Sequence, residues 1–237
     1  MAINRYSRNI ACIGAEGQRR LSAASVFVIG CGALGGQVAM LLAGAGVGRI
    51  GIADFDIVDI SNLQRQLFFS EDSSGRKKVG EIASRMRSLN SDIIVEPFDR
   101  LIRESDCDEL LGKYDFIVDA TDNPATKYMT DRICKRIGVA GCIAGVSGWQ
   151  GQVLTVTGKS DDGSLCFADI FPPPDSDPSM LPCEALGVMG ASASAIASIQ
   201  AAEALKYILG AGTPLVGRLL TMNLLDMTWQ VYEMSPK

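Results

Sequence analysis

The chain has 237 residues, 47% of them hydrophobic, enough to bury one good core, and its length allows one large domain or two small ones. Its 22 lysines and arginines against 27 acids leave a net charge of −5, which argues against a nucleic-acid binder, because neutralising phosphates needs a basic surface. The sequence contains no histidine, which removes Ser-His and Cys-His catalysis, imidazole bases and His-ligated metal sites and leaves carboxylates, cations, a metal ion or a thiol to do any chemistry.

Up to about Leu21 the chain reads as a helical arm, "RYSRNIACIGAEGQRRL", whose N-terminal stretch has charges and no apolar run, so no signal peptide is expected. "SVFVIG" is a short strand closed by glycine, and the glycine turn opens an apolar helix, "ALGGQVAMLLAGAGV". Strand "RIGIADFD", helix "KVGEIASRMRSLN", strand "DIIVEPFDR", short helix "SDCDELLGKY" and strand "DFIVDATDN" follow. The next helix, "PATKYMTDRICKRIG", carries its proline in the first turn, where it is tolerated. This alternation predicts an α/β fold: a Rossmann-like, doubly wound, mainly parallel sheet.

Beyond "VAGCIAGVSG" the pattern changes. "WQGQVLTVTG" and "GRLLTMNLLDMTWQVYEM" read as antiparallel strands extending the sheet, on either side of the Ala-rich segment "GVMGASASAIASIQAAEALKYILG". That segment is long and apolar, but Gln200, Glu203 and Lys206 interrupt it, so it is expected to be a buried helix with one wet face and not a membrane span. The proline-rich stretch over about 159–182 is too long for an ordinary connection and is expected to be a mobile, functional loop. No linker separates two halves, so residues 1–237 are expected to form one domain, with an arm (1–21), a nucleotide-binding half (22–148) and a second half (149–237). The seven cysteines are scattered, odd in number and without a C-x-x-C pair, which suits reduced thiols in a cytoplasmic protein.

Gly30, Gly32 and Gly35 form G-x-G-x-x-G between a strand and a helix, with Asp54 on the next strand end. Such a loop lets the backbone approach a pyrophosphate and aims amides at it, and Asp54 or Asp56 can hold ribose hydroxyls or simply cap structure. NAD and ATP fit this loop equally well. Downstream, Asn62, Arg65, Gln66 and Lys78 follow the ribose strand, and "DATDN" offers Asp119 and Asp122. A nicotinamide cofactor needs few cations, whereas a triphosphate of about four negative charges is met by separate Arg and Lys side chains. Mg²⁺ commonly takes one or two carboxylates plus phosphate oxygens. Together these residues favour MgATP.

In order along nearly the whole chain, "RYSRN", "GCGALGG", "DFDIVDISNLQRQ", the lysine of "GRKKV", "DATDN" and "PCEALGVMG" ahead of "SIQAAEALK" resemble the ThiF/MoeB/HesA family, bacterial relatives of the ubiquitin-activating enzymes. The resemblance implies a homodimer that uses ATP and Mg²⁺ to adenylate the C-terminal glycine carboxylate of a small β-grasp sulfur-carrier protein ending in Gly-Gly. Pyrophosphate leaves, and sulfur then comes from a donor such as a cysteine desulfurase, for thiamine thiazole or molybdopterin synthesis. It places Gly30, Gly32 and Gly35 on the phosphates and Asp54 on the ribose. Asn62, Arg65 and Lys78 fall on phosphates or ribose, and Asp122 on the metal. Arg8 becomes a finger reaching the partner subunit's site, and Cys183 the sulfur-transfer thiol. One family feature is missing. Members usually hold a structural zinc with two C-x-x-C pairs, but Cys166 is followed by Phe167, Ala168 and Asp169, and the sequence ends before a second pair. One thiolate and no histidine cannot make a four-ligand site, so no zinc is expected. An NAD-linked oxidoreductase, a non-catalytic nucleotide-binding scaffold, and an enzyme activating another carboxylate, such as that of a small peptide or a modified tRNA base, are the competing readings.

Overall fold

In the computed structural model, which describes residues 5–158, 167–172 and 187–234, the β-rich runs join in one eight-stranded sheet. Its strands are β1 (Ser25–Ile29), β2 (Arg49–Ala53), β3 (Ile94–Phe98), β4 (Phe116–Asp119), β5 (Ala140–Ser147), β6 (Gln150–Val156), β7 (Arg218–Asn223) and β8 (Thr228–Glu233). They lie in the order β3-β2-β1-β4-β5-β6-β7-β8. The first five pair in parallel and the last three add antiparallel, as the change of sequence pattern predicts. Pro97 is accommodated inside β3 because that strand is at the edge and its missing N–H breaks no ladder.

Helices α1 (Ser7–Ala23), α2 (Gly35–Ala45), α3 (Lys78–Leu89), α4 (Glu104–Leu110), α5 (Pro124–Ile137), α6 (Phe167–Ile170) and α7 (Gly190–Leu209) cover the sheet. Strand periodicity sends neighbouring residues to opposite faces. Val26 and Val28 of β1 pack with α2, α3 and α7, and Phe27 and Ile29 pack with α4 and α5. Because both faces are covered, β1 is buried along its whole length.

Three expectations need correction. The arm runs two residues past Leu21 and is broken at Gly14, where φ of +73° interrupts the helix. The stretch expected to be a mobile loop contains the short helix α6; residues 159–166 and 173–186, with Cys166 and Cys183, lie outside the described residues. The wet face of α7 is the largest miss. Gln200 and Glu203 are almost fully buried, and only Lys206 reaches solvent. Both acquire partners from distant segments. The Gln200 amide donates to the carbonyl of Asp119 at 2.9 Å. The Glu203 carboxylate accepts from Thr155 Oγ1 on β6 and from the Leu215 amide ahead of β7, each at 2.6 Å, and pairs with Lys206. One carboxylate therefore joins α7 to two strands. Among the described residues no helix is long and apolar enough to cross a membrane.

Glu203→Ala should lower unfolding stability by about 3–5 kcal/mol, since it strands a buried hydroxyl and a buried amide without their acceptor. Urea denaturation measures this, and a loss below about 1 kcal/mol would show that water replaces the carboxylate.

Candidate active site

The chain leaves β1 for α2 on one face of the sheet and leaves β4 for α5 on the other. Where adjacent parallel strands diverge in this way, a crevice opens at their carboxyl ends. The glycine loop forms one wall. Gly30 has φ +92°, and a Cβ there would stand 3.2 Å from the Ala120 carbonyl oxygen at the end of β4. Gly35 is required for a different reason, because its Cβ would stand 1.8 Å from the Gly30 carbonyl oxygen. Gly32 has room, with nothing nearer than Gln66 Nε2 at 3.7 Å. The sequence pattern missed Gly36, whose bare Cα admits the Phe68 ring to within 2.2 Å of a would-be Cβ. No side chain caps α2. Apart from the Gly36 amide, which donates to the Gly32 carbonyl at 3.0 Å, its first-turn amides are therefore suited to an anion.

The acidic end of β2 forms the second wall. Asp54 accepts from the Cys31 amide at 2.7 Å through one oxygen and from the Asp56 amide at 2.8 Å through the other. It thus ties β2 to the glycine loop, and each oxygen keeps a further lone pair for a ribose hydroxyl. Asp56 receives the Lys78 ammonium at 2.9 Å, and Lys78 is buried at the start of α3. Between them lies a short turn, Ile60–Asn62, capped by Asp59, whose carboxyl is held below its ordinary range by bonds from Ser61. It presents Asn62, and after it Arg65 donates to the Ser61 carbonyl at 3.1 Å. Gln66 is buried beside Gly32 with its carbonyl oxygen unpartnered. The start of α7 braces this segment, since a Cβ at Gly190 would stand 2.8 Å from the Gln64 carbonyl oxygen.

The third wall follows β4, and here one expected residue changes role. Asp119 cannot serve a metal in this arrangement, because it is fully buried and its carboxylate is committed to Thr121 and Thr130 at 2.7–3.0 Å. Asp122 is exposed at the following turn. Thr130 and Lys127 were not singled out in the sequence; their three-residue spacing on one face of α5 was the available signal. Among the described residues no three metal-binding side chains cluster. A cation held by Asp122 would take its remaining ligands from phosphate and water, which is how Mg²⁺ commonly binds. The uncapped α2, the orphaned Gln66 oxygen, Lys78 and Asp122 fit a magnesium–nucleotide complex.

Arg8 stands apart from this group. Asn9 and Gln18 both donate to the Ala45 carbonyl at the far end of α2, and the Tyr6 ring covers Gly46. The exposed Arg8 is therefore near the end of α2 remote from the glycine loop, about 16 Å along the helix axis. Its own chain does not bring it to the crevice.

Residues 6–237 match the ThiF family. The chain belongs to the ThiF family. A similar relative is the SAMP-activating enzyme E1 of Haloferax volcanii, 35% identical over 99% of this chain and 87% of the relative. The sulfur carrier protein adenylyltransferase of Thermus thermophilus is 34% identical over 96% of this chain and 86% of its own length. The maize adenylyltransferase and sulfurtransferase MOCS3-1 is 38% identical over 98% of this chain, which spans only 49% of that protein. The ThiF-family fold is also seen in E. coli MccB solved with ATP, with a TM-score of 0.84, 23% identity, and coverage of 99% of this chain and 73% of MccB.

Burial, then the neighbouring Asp54 charge, pushes the Cys31 thiol in the glycine loop well up, so it stays protonated and shielded at neutral pH. Iodoacetamide at pH 8 should label the exposed Cys12 and spare Cys31 in the native protein. Peptide mass spectrometry reads this, and comparable labelling of both would mean that the glycine loop opens.

Proposed function

We propose that this chain is an ATP-dependent adenylyltransferase that activates the C-terminal glycine carboxylate of a small ubiquitin-like sulfur-carrier protein. The observation that carries the reading is the grouping of Lys78 and Arg65 with an uncapped glycine loop at one strand edge, more positive charge than a nicotinamide cofactor calls for. The likeness to the SAMP-activating enzyme of Haloferax and the sulfur carrier protein adenylyltransferase of Thermus supports it.

The chemistry suits a chain without histidine. A terminal carboxylate, with an ordinary pKa of about 3.5, is already ionised at pH 7 and attacks the α-phosphorus without a base. Pyrophosphate leaves in line. The protein then has only to position the reactants and neutralise phosphate charge. The amides of the glycine loop and α2 would hold the phosphates, Asp54 the ribose, and Lys78, Arg65, Asn62 and Gln66 the phosphate and ribose oxygens. Mg²⁺ on Asp122 would supply a template and a Lewis acid. Lys78 would exchange part of its bond to Asp56 for a phosphate oxygen.

In this reading the protein is a cytoplasmic homodimer of single-domain subunits. The nucleotide half is 22–148 and the carrier-binding half 149–237. Arg8 of one subunit completes the other's site, which its distance from its own crevice supports. Cys183 takes part in sulfur transfer after adenylation, with a desulfurase-type donor and without zinc. Thiamine thiazole is the proposed pathway and molybdopterin the alternative, both resting on the family resemblance; the carrier that supports turnover decides between them.

Lys78→Ala and Asp122→Ala should each lower carrier-dependent ATP–pyrophosphate exchange by about 100-fold or more while the circular dichroism spectrum is unchanged. A variant that keeps more than about a tenth of wild-type exchange would refute the role given to that residue. Arg8→Ala subunits mixed with Lys78→Ala subunits should regain activity, approaching about a quarter of wild type at full subunit exchange, because each heterodimer has one site with both good residues. No recovery despite demonstrated exchange would overturn the finger.

A further inference from the structure

Lys127 is 8% exposed, and no role in nucleotide chemistry has been given to it above. Its ammonium extends from the first turns of α5 toward the end of β4 and toward β5. It donates to the carbonyl of Thr121, the residue before Asp122, and to the carbonyl of Ala144 on β5 at 2.6 Å. It also lies 3.9 Å from the fully buried Asp119 carboxylate. Asp119 in turn accepts from the Thr121 amide and hydroxyl on one side and from the Thr130 hydroxyl on the other. The turn carrying Asp122 is thus gripped through both its amide and its carbonyl, and it touches the glycine loop, since a Cβ on Gly30 or Gly35 would meet Ala120 at 3.1–3.2 Å.

We propose that Lys127 is a positioning residue for the metal–nucleotide complex, fixing the Thr121–Asp122 turn against β5 so that the Asp122 carboxylate stays in register with the glycine loop. This rests on the adenylation reading and adds to it a residue that touches no substrate. Burying an ammonium is costly, and a neutral donor with one or two N–H groups could hold Thr121 or Ala144 but would leave Asp119 without a counter-charge. Lysine supplies both the two donors that Thr121 and Ala144 accept and the positive charge that faces Asp119 at 3.9 Å. The benefit is geometric. A displacement of about 1 Å in a catalytic group can cost 100-fold in rate, and Asp122, exposed on a turn, makes no side-chain hydrogen bond or ion pair of its own among the described residues.

The test compares Lys127→Met, which keeps length and loses every donor, with Lys127→Arg, which keeps the charge and several donors. In nucleotide-free protein, amide hydrogen exchange at Thr121 and Asp122 should quicken by about tenfold or more in the Met variant and stay near wild type in the Arg variant. Mn²⁺ affinity in the ATP complex, read by electron paramagnetic resonance, should fall about tenfold, with ATP affinity in the absence of metal changed less than about threefold. Pyrophosphate exchange should fall about 100-fold, and Lys127→Arg should restore most of each loss. A general loss of structure would weaken both ATP affinities together, and that result, or unchanged Mn²⁺ affinity, overturns the proposal. If Lys127→Met does not fold, Lys127→Gln gives the same comparison with one donor kept, and failure of both to fold also overturns it in favour of a core role. Wild-type protein that binds Mn²⁺–ATP but exchanges with no carrier would overturn the carrier reading alone, leaving the Lys127 comparison to be decided by binding.

Discussion

With φ at +92° and no side chain at Gly30, the loop after β1 comes into contact with the Ala120 carbonyl after β4, and Gly35 closes on Gly30 from behind. These two close approaches set the width of the crevice at the switch point. A Cβ at Gly35 could not be absorbed by a rotamer change, because the atom it would strike is backbone. The three walls of the site are therefore positioned relative to one another by main chain first, and the functional side chains inherit that geometry.

Behind the crevice the interior is more polar than a parallel sheet usually requires. Asp119, Lys127, Thr130 and Gln200 are all buried and converge on the end of β4. Each makes at least one hydrogen bond or ion pair within the group, although the Gln200 side-chain oxygen is left without a partner. An apolar core would have held the strands together equally well. It would not have fixed the direction of the turn after Asp119, because apolar contacts are not directional. The same logic governs Glu203, which holds β6 and the entry to β7 on one carboxylate.

The absence of histidine shapes the proposed chemistry more than any residue present. A nucleophile already ionised at neutral pH needs no imidazole, and the demands that remain are cation placement and alignment. Lys78 meets the first by being held on Asp56 before any phosphate arrives, so that little reorganisation is needed on binding. The N-terminal arm is bonded to the far end of α2, which holds Arg8 away from its own crevice, so the proposed role of Arg8 requires a second subunit.

The strand and helix order, the glycine loop and the antiparallel extension were all legible in the sequence, because each is written in local periodicity or in residues that local backbone geometry demands. So were the cations that follow β2, since strand ends in a parallel sheet share one edge. Gln200 and Glu203 were misread for one reason. A polar residue in an apolar pattern predicts a wet surface unless its partners are known, and those partners are up to 81 residues away in the chain. Gly36 was passed over because the ring it accommodates belongs to Phe68. Local sequence determined which segments become helix and strand; only tertiary packing decided which polar groups meet, because pairing depends on through-space distance, which sequence spacing does not encode.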